Sequence, residues 1–88
     1  MKKYKKTLHY TRVRNLVERE KDGERVPFSI TYACMNGALV DIKEKCMVCI
    51  GVDVKHRRRT LKSTNSSEIR TIHDVLILRV DDTKIVVS

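Results

Sequence analysis

Residues 26–43 read VPFSITYACMNGALVDIK, and this stretch decides the fold class. Apolar and small polar side chains alternate in it, in the order Phe28, Ser29, Ile30, Thr31, Tyr32, Ala33 and Cys34. A period of two predicts a half-buried β-strand. The dipeptide Asn36-Gly37 is favoured in a two-residue type I′ turn, so residues 38–43 are predicted to return antiparallel.

Two further apolar regions extend the β pattern toward the C-terminus. A run over residues 46–54 is interrupted by Gly51, which in a strand often marks a bulge or a bend. Residues 75–80 and 84–87 are rich in β-branched and aliphatic side chains, and they flank a short turn that contains Asp81 and Asp82. This second pair predicts a closing hairpin.

The segment before the first strand has a helical period. Val13, Leu16 and Val17 lie on one side of a predicted helix over residues 8–21, which Gly23 would end. The predicted fold is therefore an N-terminal helix followed by a small five-stranded antiparallel barrel or strongly bent sheet. The outline fits SH3-like, Sm-like and OB-type barrels, and an open sheet with the helix across one face is the alternative. Residues 1–7 are assigned to a basic arm and residues 8–88 to a single barrel-like domain.

Residues 67–77 read SEIRTIHDVLI and continue into the Asp81-Asp82 turn. This region resembles the C-terminal hairpin of small uncharacterised proteins from phages and mobile elements of gut Bacteroidetes, and the similarity extends loosely over residues 26–87. The resemblance implies a viral or mobile-element origin and a β-rich fold, without an assigned activity. The predicted order of helix and barrel is similar to that of Sm-like RNA-binding proteins, although the paired signature segments of that family are missing.

The charge of the chain is concentrated in two blocks. The net charge is +8 and the pI is about 9.7. Residues 1–25 hold nine basic and four acidic side chains, and residues 55–63 hold five basic and no acidic ones. The remaining two blocks are each net −1. Charge arranged in this way predicts a polyanionic partner, with nucleic acid as the first candidate.

The candidate contact residues come from these two blocks. Arginine offers a planar fork for phosphate oxygens, lysine a point charge, and a tyrosine ring between cations can stack on a base. Three successive arginines in a strand alternate faces, so no more than two share a surface unless the chain bends there. The predicted nucleic-acid-binding residues are Lys2, Lys3, Tyr4, Lys5, Lys6, Lys55, His56, Arg57, Arg58, Arg59 and Lys62.

The sequence gives no support for catalysis, a cofactor or a metal. Cys46 and Cys49 have the C-x-x-C spacing of zinc sites, but a second close pair of ligands is missing, and the odd spacing in a strand would send them to opposite faces. Three cysteines also fit reduced thiols better than a disulfide framework. Histidines are scattered, and nucleotide-binding loops are absent from the sequence. We expect a non-enzymatic protein with no cofactor and no metal.

Two functions remain open from sequence. The first is a module that binds DNA, RNA or another polyanion through phosphate contacts. The alternative is a structural or assembly protein, such as a virion component or a phage factor binding a host protein, in which the arm and the arginines contact a second copy or another viral or host partner. Neither a membrane-length apolar run nor a signal-peptide pattern is seen, so we expect no membrane and a cytoplasmic location, or the virion for a phage-encoded chain.

Overall fold

Strands dominate the part of the chain that the computed structural model describes, which is residues 6–87. The elements follow in the order β1 (Lys6–His9), a first 3₁₀ helix (Tyr10–Arg12), α1 (Arg14–Val17), β2 (Glu20–Lys21), β3 (Glu24–Arg25), β4 (Phe28–Ala33), β5 (Leu39–Asp53), β6 (Arg58–Ser63), β7 (Ile69–His73), a second 3₁₀ helix (Asp74–Leu76), β8 (Ile77–Val80) and β9 (Thr83–Val86). Seven strands form one sheet in the order β1-β9-β8-β4-β5-β6-β7, and β2 pairs with β3 alone. In the large sheet β1 is parallel to β9, and the other pairs are antiparallel.

The predicted hairpin of β4 and β5 is confirmed, but its turn is longer than expected. The backbone N–H of Cys34 donates to the carbonyl of Ala38 at 2.7 Å, and that of Gly37 donates to the carbonyl of Cys34 at 2.9 Å. Gly37 has a φ of 90°, so the connection is a three-residue loop with glycine in the left-handed region. The two-residue type I′ turn is therefore wrong.

β5 bends where it changes partners. Phe28 pairs with Met47 and Ile30 pairs with Ile42, which leaves residues 43–46 of β5 without a counterpart on β4. The first part of β5 pairs with β4, and the part from Met47 onward pairs with β6. The single strand thereby joins two halves of the sheet.

The predicted bulge at Gly51 is confirmed. Cys49 pairs with Leu61 and Gly51 pairs with Thr60, so Ile50 is the extra residue on β5. Along β6, the side chains of Arg59, Leu61 and Ser63 are buried, whereas those of Arg58, Thr60 and Lys62 face outward. This alternation decides which of the adjacent arginines can meet a partner.

The closing hairpin is confirmed with shifted bounds. β8 and β9 are antiparallel, with Val80 opposite Thr83 and Arg79 opposite Lys84. Asp81 adopts a φ of 52° in the turn between them. Val75 and Leu76, which the pattern assigned to the strand, belong to the second 3₁₀ helix instead.

One hydrophobic core joins both halves of the sheet to α1. Val13 and Val17, four residues apart, are both buried and pack among side chains from β4 to β9. α1 therefore covers the core with one helical turn. The buried residues of this core are Val13, Val17, Phe28, Ile30, Tyr32, Cys46, Met47, Cys49, Leu61, Ile72, Ile77, Val80 and Ile85.

The predicted helix over residues 8–21 is wrong for most of its length. Its start lies in β1, where Leu8 pairs with Ile85 of β9, and its end lies in the hairpin of β2 and β3. Asp22 and Gly23, with φ values of 56° and 81°, form the two-residue turn of this hairpin rather than the end of a helix. Pairing with a distant strand outweighed the local helical period.

The predicted fold class, an N-terminal helix followed by a five-stranded antiparallel barrel or strongly bent sheet, is also wrong. The fold is mostly β, but the main sheet has seven strands, is mixed and does not close into a barrel within residues 6–87. β1 and β7 remain its two edges, and the 3₁₀ helices that follow them contact each other. Lys6 and Thr7, assigned to the basic arm, are residues of β1, and residues 1–5 of the arm lie outside the described part.

Candidate nucleic-acid interface

The connection between β5 and β6, residues 54–57, carries the centre of the internal basic cluster, and we call it the basic turn. Asp53, the last residue of β5, binds this turn through its carboxylate. The carboxylate of Asp53 accepts hydrogen bonds from the backbone N–H of His56 at 3.2 Å and from Nη2 of Arg58 at 2.8 Å, and its Oδ2 lies 2.9 Å from Nδ1 of His56. The contacts with Arg58 and His56 lower the pKa of Asp53 from 3.8 to about 2. The turn is thus closed by a carboxylate that stays ionised.

Lys55 and Arg57 are the exposed cations of the basic turn. Neither side chain makes a hydrogen bond or an ion pair with any residue between 6 and 87. The backbone N–H of Arg57 donates to the carbonyl of Val54 at 3.3 Å, and Arg57 has a φ of 53°. Both charges are therefore available to a ligand.

Arg59 is two residues further along but is buried, with 5% of its side chain exposed. Its Nε donates to Oδ1 of Asp74 at 2.8 Å, and its Nη1 donates to Oε2 of Glu18. Burial by itself would lower the pKa of Arg59, but the two carboxylates outweigh it and raise the pKa above its usual value. Arg59 therefore links the end of α1 and the second 3₁₀ helix to β6, and its charge is occupied inside the protein.

The structure does not gather all the predicted contact residues on one surface. Lys62 is exposed on the outer face of β6, four residues from Arg58, which places it about 13 Å along the strand. Lys6 is exposed at the start of β1. The contact with the second 3₁₀ helix is made by the 3₁₀ helix that follows the other end of β1, so Lys6 does not lie at this contact. Lys2, Lys3, Tyr4 and Lys5 lie outside the described residues.

Arg14 is a cation that the sequence did not single out. It is exposed on α1. Together with Arg57 it lines a cleft of about 320 Å³ between residues 10–17, which we call the first helical segment, and the basic turn. Arg14 and Arg57 are more than forty positions apart in the chain. No local sequence pattern could therefore have shown that they line the same cleft. The basic surface of the folded protein thus combines the two charged blocks through Arg14.

The cysteines are free, and Cys46 and Cys49 are both buried in the core. The prediction that their odd spacing sends them to opposite faces is wrong, because Cys46 belongs to the bent segment of β5, where regular alternation fails. Within residues 6–87, three or more histidine, cysteine, aspartate or glutamate side chains do not cluster in a way that could hold a metal ion.

Comparisons with protein-family models, with curated proteins and with solved structures yield no match to this chain. The resemblances to phage proteins and to small barrels therefore stay predictions. Among the described helices, none has the length and apolar character that crossing a membrane requires.

Proposed function

We propose that this protein is a small non-enzymatic module that binds nucleic acid through phosphate contacts made by the basic turn. The observation that supports the proposal is that some charged side chains of the basic turn have ion-pair partners and others have none. Asp53 is held by Arg58, and Glu18 and Asp74 are held by Arg59, while Lys55 and Arg57 have no partner among residues 6–87. Each nearby carboxylate is bound by Arg58 or Arg59, so none of them pairs with Lys55 or Arg57. The four cations of residues 55–59 still exceed the three carboxylates by one charge, so the potential at the turn is positive.

The remaining charge supports contact with a backbone rather than with bases. Lys62 on the outer face of β6 and Lys6 on β1 add exposed cations, and the whole chain carries a net charge of +8. One phenylalanine and no tryptophan leave little aromatic surface on which bases could stack. Binding of this kind positions a strand without reading its sequence. DNA, RNA and other polyanions of the cytoplasm or of a virion all fit it.

The test removes the two unpaired charges together. The double variant Lys55→Gln/Arg57→Gln keeps long polar side chains and breaks no hydrogen bond or ion pair among the described residues, so we expect an unchanged fold. Its affinity for labelled oligonucleotides should fall by a similar factor for every sequence. The slope of log K against log salt should decrease by roughly two, because each phosphate contact contributes about 0.9 on B-DNA.

A matched control is the double variant Lys43→Gln/Lys84→Gln, which removes the same charge from exposed residues of β5 and β9. This control should lose less affinity than the turn variant. Equal losses in both variants would show that net charge alone matters, and binding that does not respond to salt would refute the charge-driven mechanism.

Exposed apolar side chains beside the basic turn favour assembly as the second candidate function. Val54 is 80% exposed within the turn, and Ile50 at the bulge is 53% exposed. Apolar side chains next to cations suit a protein partner or a second copy of the chain better than a phosphate backbone. Light scattering with and without nuclease separates the two functions. A mass above that of the monomer that survives nuclease supports assembly, whereas a mass lost with nuclease supports nucleic acid binding.

A further inference from the structure

The cleft between the first helical segment and the basic turn has two unlike walls. Thr11 and Arg14 form the helical side, and Val52, Val54 and Arg57 form the side of the hairpin. Its volume of about 320 Å³ is at the small end of the range for ligand pockets. A space of this size accepts one small group and not a length of strand.

Two guanidinium groups of the cleft have no carboxylate partner. Arg59 is buried and binds both Asp74 and Glu18, so neither of these carboxylates pairs with another lining arginine. Asp53, the third carboxylate of the lining, is bound by Arg58 and His56. Arg14 and Arg57 are thus the lining cations that have no hydrogen bond or ion pair with the described residues.

The backbone at Arg57 adds a second, independent observation. Its φ of 53° lies in the left-handed region, which an L-residue with a long side chain adopts at a cost and glycine adopts freely. Glycine would adopt the conformation of this turn at a lower energy than arginine does. Strain held at an exposed, unpaired arginine on the rim of a cleft points to a role for its side chain in binding.

We propose that this cleft binds a phosphomonoester, with Arg14 and Arg57 on the phosphate and the two valines against the attached sugar or base. A phosphomonoester carries a charge of about −1.5 to −2 near pH 7, which matches two guanidinium groups, whereas an internal phosphodiester carries only one negative charge. Arginine forks also bind terminal phosphate oxygens in pairs. The inference rests on the proposed function for one source of the ligand, the phosphorylated end of a strand. A free nucleotide is the other source.

Three versions of one short labelled oligonucleotide test the proposal: one with a 5′-phosphate, one with a 3′-phosphate and one with hydroxyls at both ends. Adenosine monophosphate is the probe for the free nucleotide. We expect one of the phosphorylated ends to bind about tenfold more tightly than the hydroxyl end, as charge-assisted hydrogen bonds of this kind imply. The same phosphate should make adenosine monophosphate bind where adenosine does not.

The variants separate binding from folding. Arg14→Gln should abolish the advantage of the phosphorylated end, and Arg57→Gly should do so without lowering the melting temperature, since glycine relieves the backbone strain. Arg12→Gln is the matched control, because Arg12 is exposed in the preceding 3₁₀ helix but does not line the cleft. This control should retain the full advantage.

The outcomes distinguish this inference from the proposed function. Equal affinity for all three oligonucleotides, with no binding of adenosine monophosphate, overturns the phosphomonoester site and leaves the proposed function in place. Binding of adenosine monophosphate that depends on Arg14, with no binding of the hydroxyl-ended strand, supports the site and refutes the general nucleic-acid function. An advantage of the phosphorylated end that Arg12→Gln removes as fully as Arg14→Gln also overturns the cleft as its location.

Discussion

Two arginines are buried at opposite halves of the sheet, and their partners differ in charge. Arg59 on β6 is bound by two carboxylates, those of Glu18 and Asp74, which are 30% and 12% exposed. Arg79 on β8 is just as buried, with 5% of its side chain exposed. Its partners are mostly neutral oxygens, and the one carboxylate among them, that of Asp41, is 39% exposed.

The neutral partners of Arg79 come from β4, from the closing turn and from the carbonyl of Ile42 on β5, which Nη2 reaches at 3.5 Å. Its Nε donates to the hydroxyl of Thr31 at 3.0 Å, and its Nη1 donates to the hydroxyl of Ser29 at 3.0 Å and to the carbonyl of Asp81 at 2.6 Å. Asp81 in turn accepts from the backbone N–H of Ser29 at 2.9 Å and pairs with Arg19 at 3.0 Å. Arg79 therefore ties β8 to β4, to β5 and to the closing turn, all within the sheet. Arg59 instead joins β6 to the end of α1 and to the second 3₁₀ helix, which lie outside the sheet.

This difference shows two uses of the same side chain. Where the partners are ionised and partly buried, removing the arginine leaves charges without compensation. Where they are hydroxyls and carbonyls, removal costs hydrogen bonds but leaves fewer buried charges. The cost of losing each arginine should therefore differ, although their burial is the same.

The largest effect should come from Arg59→Gln. The substitution leaves Glu18 and Asp74 uncompensated in a largely buried site, and we expect a loss of about 3–5 kcal/mol in the free energy of unfolding. Urea unfolding followed by circular dichroism measures it, with an unchanged m-value as the check on a common unfolded state. Adding Glu18→Gln and Asp74→Asn to the variant should restore part of the loss, and no restoration would contradict the electrostatic explanation.

The same substitution at Arg79 should cost less, about 2 kcal/mol, because its partners are mainly neutral. Both variants are measured under one set of conditions, so that the comparison depends on the difference between them. A loss at Arg79 equal to or greater than the loss at Arg59 would show that the charge of the partners is not what sets the cost.

The smallest effect should appear at Asp53, whose partners are exposed. The folded protein lowers the pKa of Asp53 from 3.8 to about 2, so its contribution to stability is present above pH 3.8 and is lost as the pH falls toward 2. Asp53→Asn should therefore be slightly less stable than the parent at pH 6, and most of the difference should be lost by pH 2, where the folded-state carboxyl is half protonated. Urea midpoints at the two pH values measure this, and a difference at pH 2 as large as that at pH 6 would exclude the ionised carboxylate as its cause.

Local patterns predicted the antiparallel hairpins because these depend on neighbours in the chain. The alternation over residues 28–34, the bulge at Gly51 and the closing hairpin were each visible in a few consecutive residues. The helix predicted before β4 was wrong because the first strand of this region pairs with a distant part of the chain. Leu8 meets Ile85 from the far end of the chain, and no local period reports a parallel pairing of that kind.

The sequence likewise predicted some features of the candidate interface and missed others. The sequence showed where the positive charge is concentrated and that successive arginines of a strand must point to opposite faces. It could not show that Arg59 is the one that turns inward, nor that Arg14 joins Arg57 across a cleft. Those facts depend on which face of β6 meets the core and on where α1 packs.

The composition and the alternation of side chains by themselves determined a small basic protein, rich in β-strands, with two blocks of positive charge. Size and net charge are sums over the residues, and the strand pattern and the charge blocks are short-range patterns. All of these can be taken directly from the sequence. Only the tertiary structure decided which charges remain available. A buried guanidinium must be paired to remain charged at low cost, and the carboxylates that pair with Arg59 come from residues 18 and 74, which only folding brings to it.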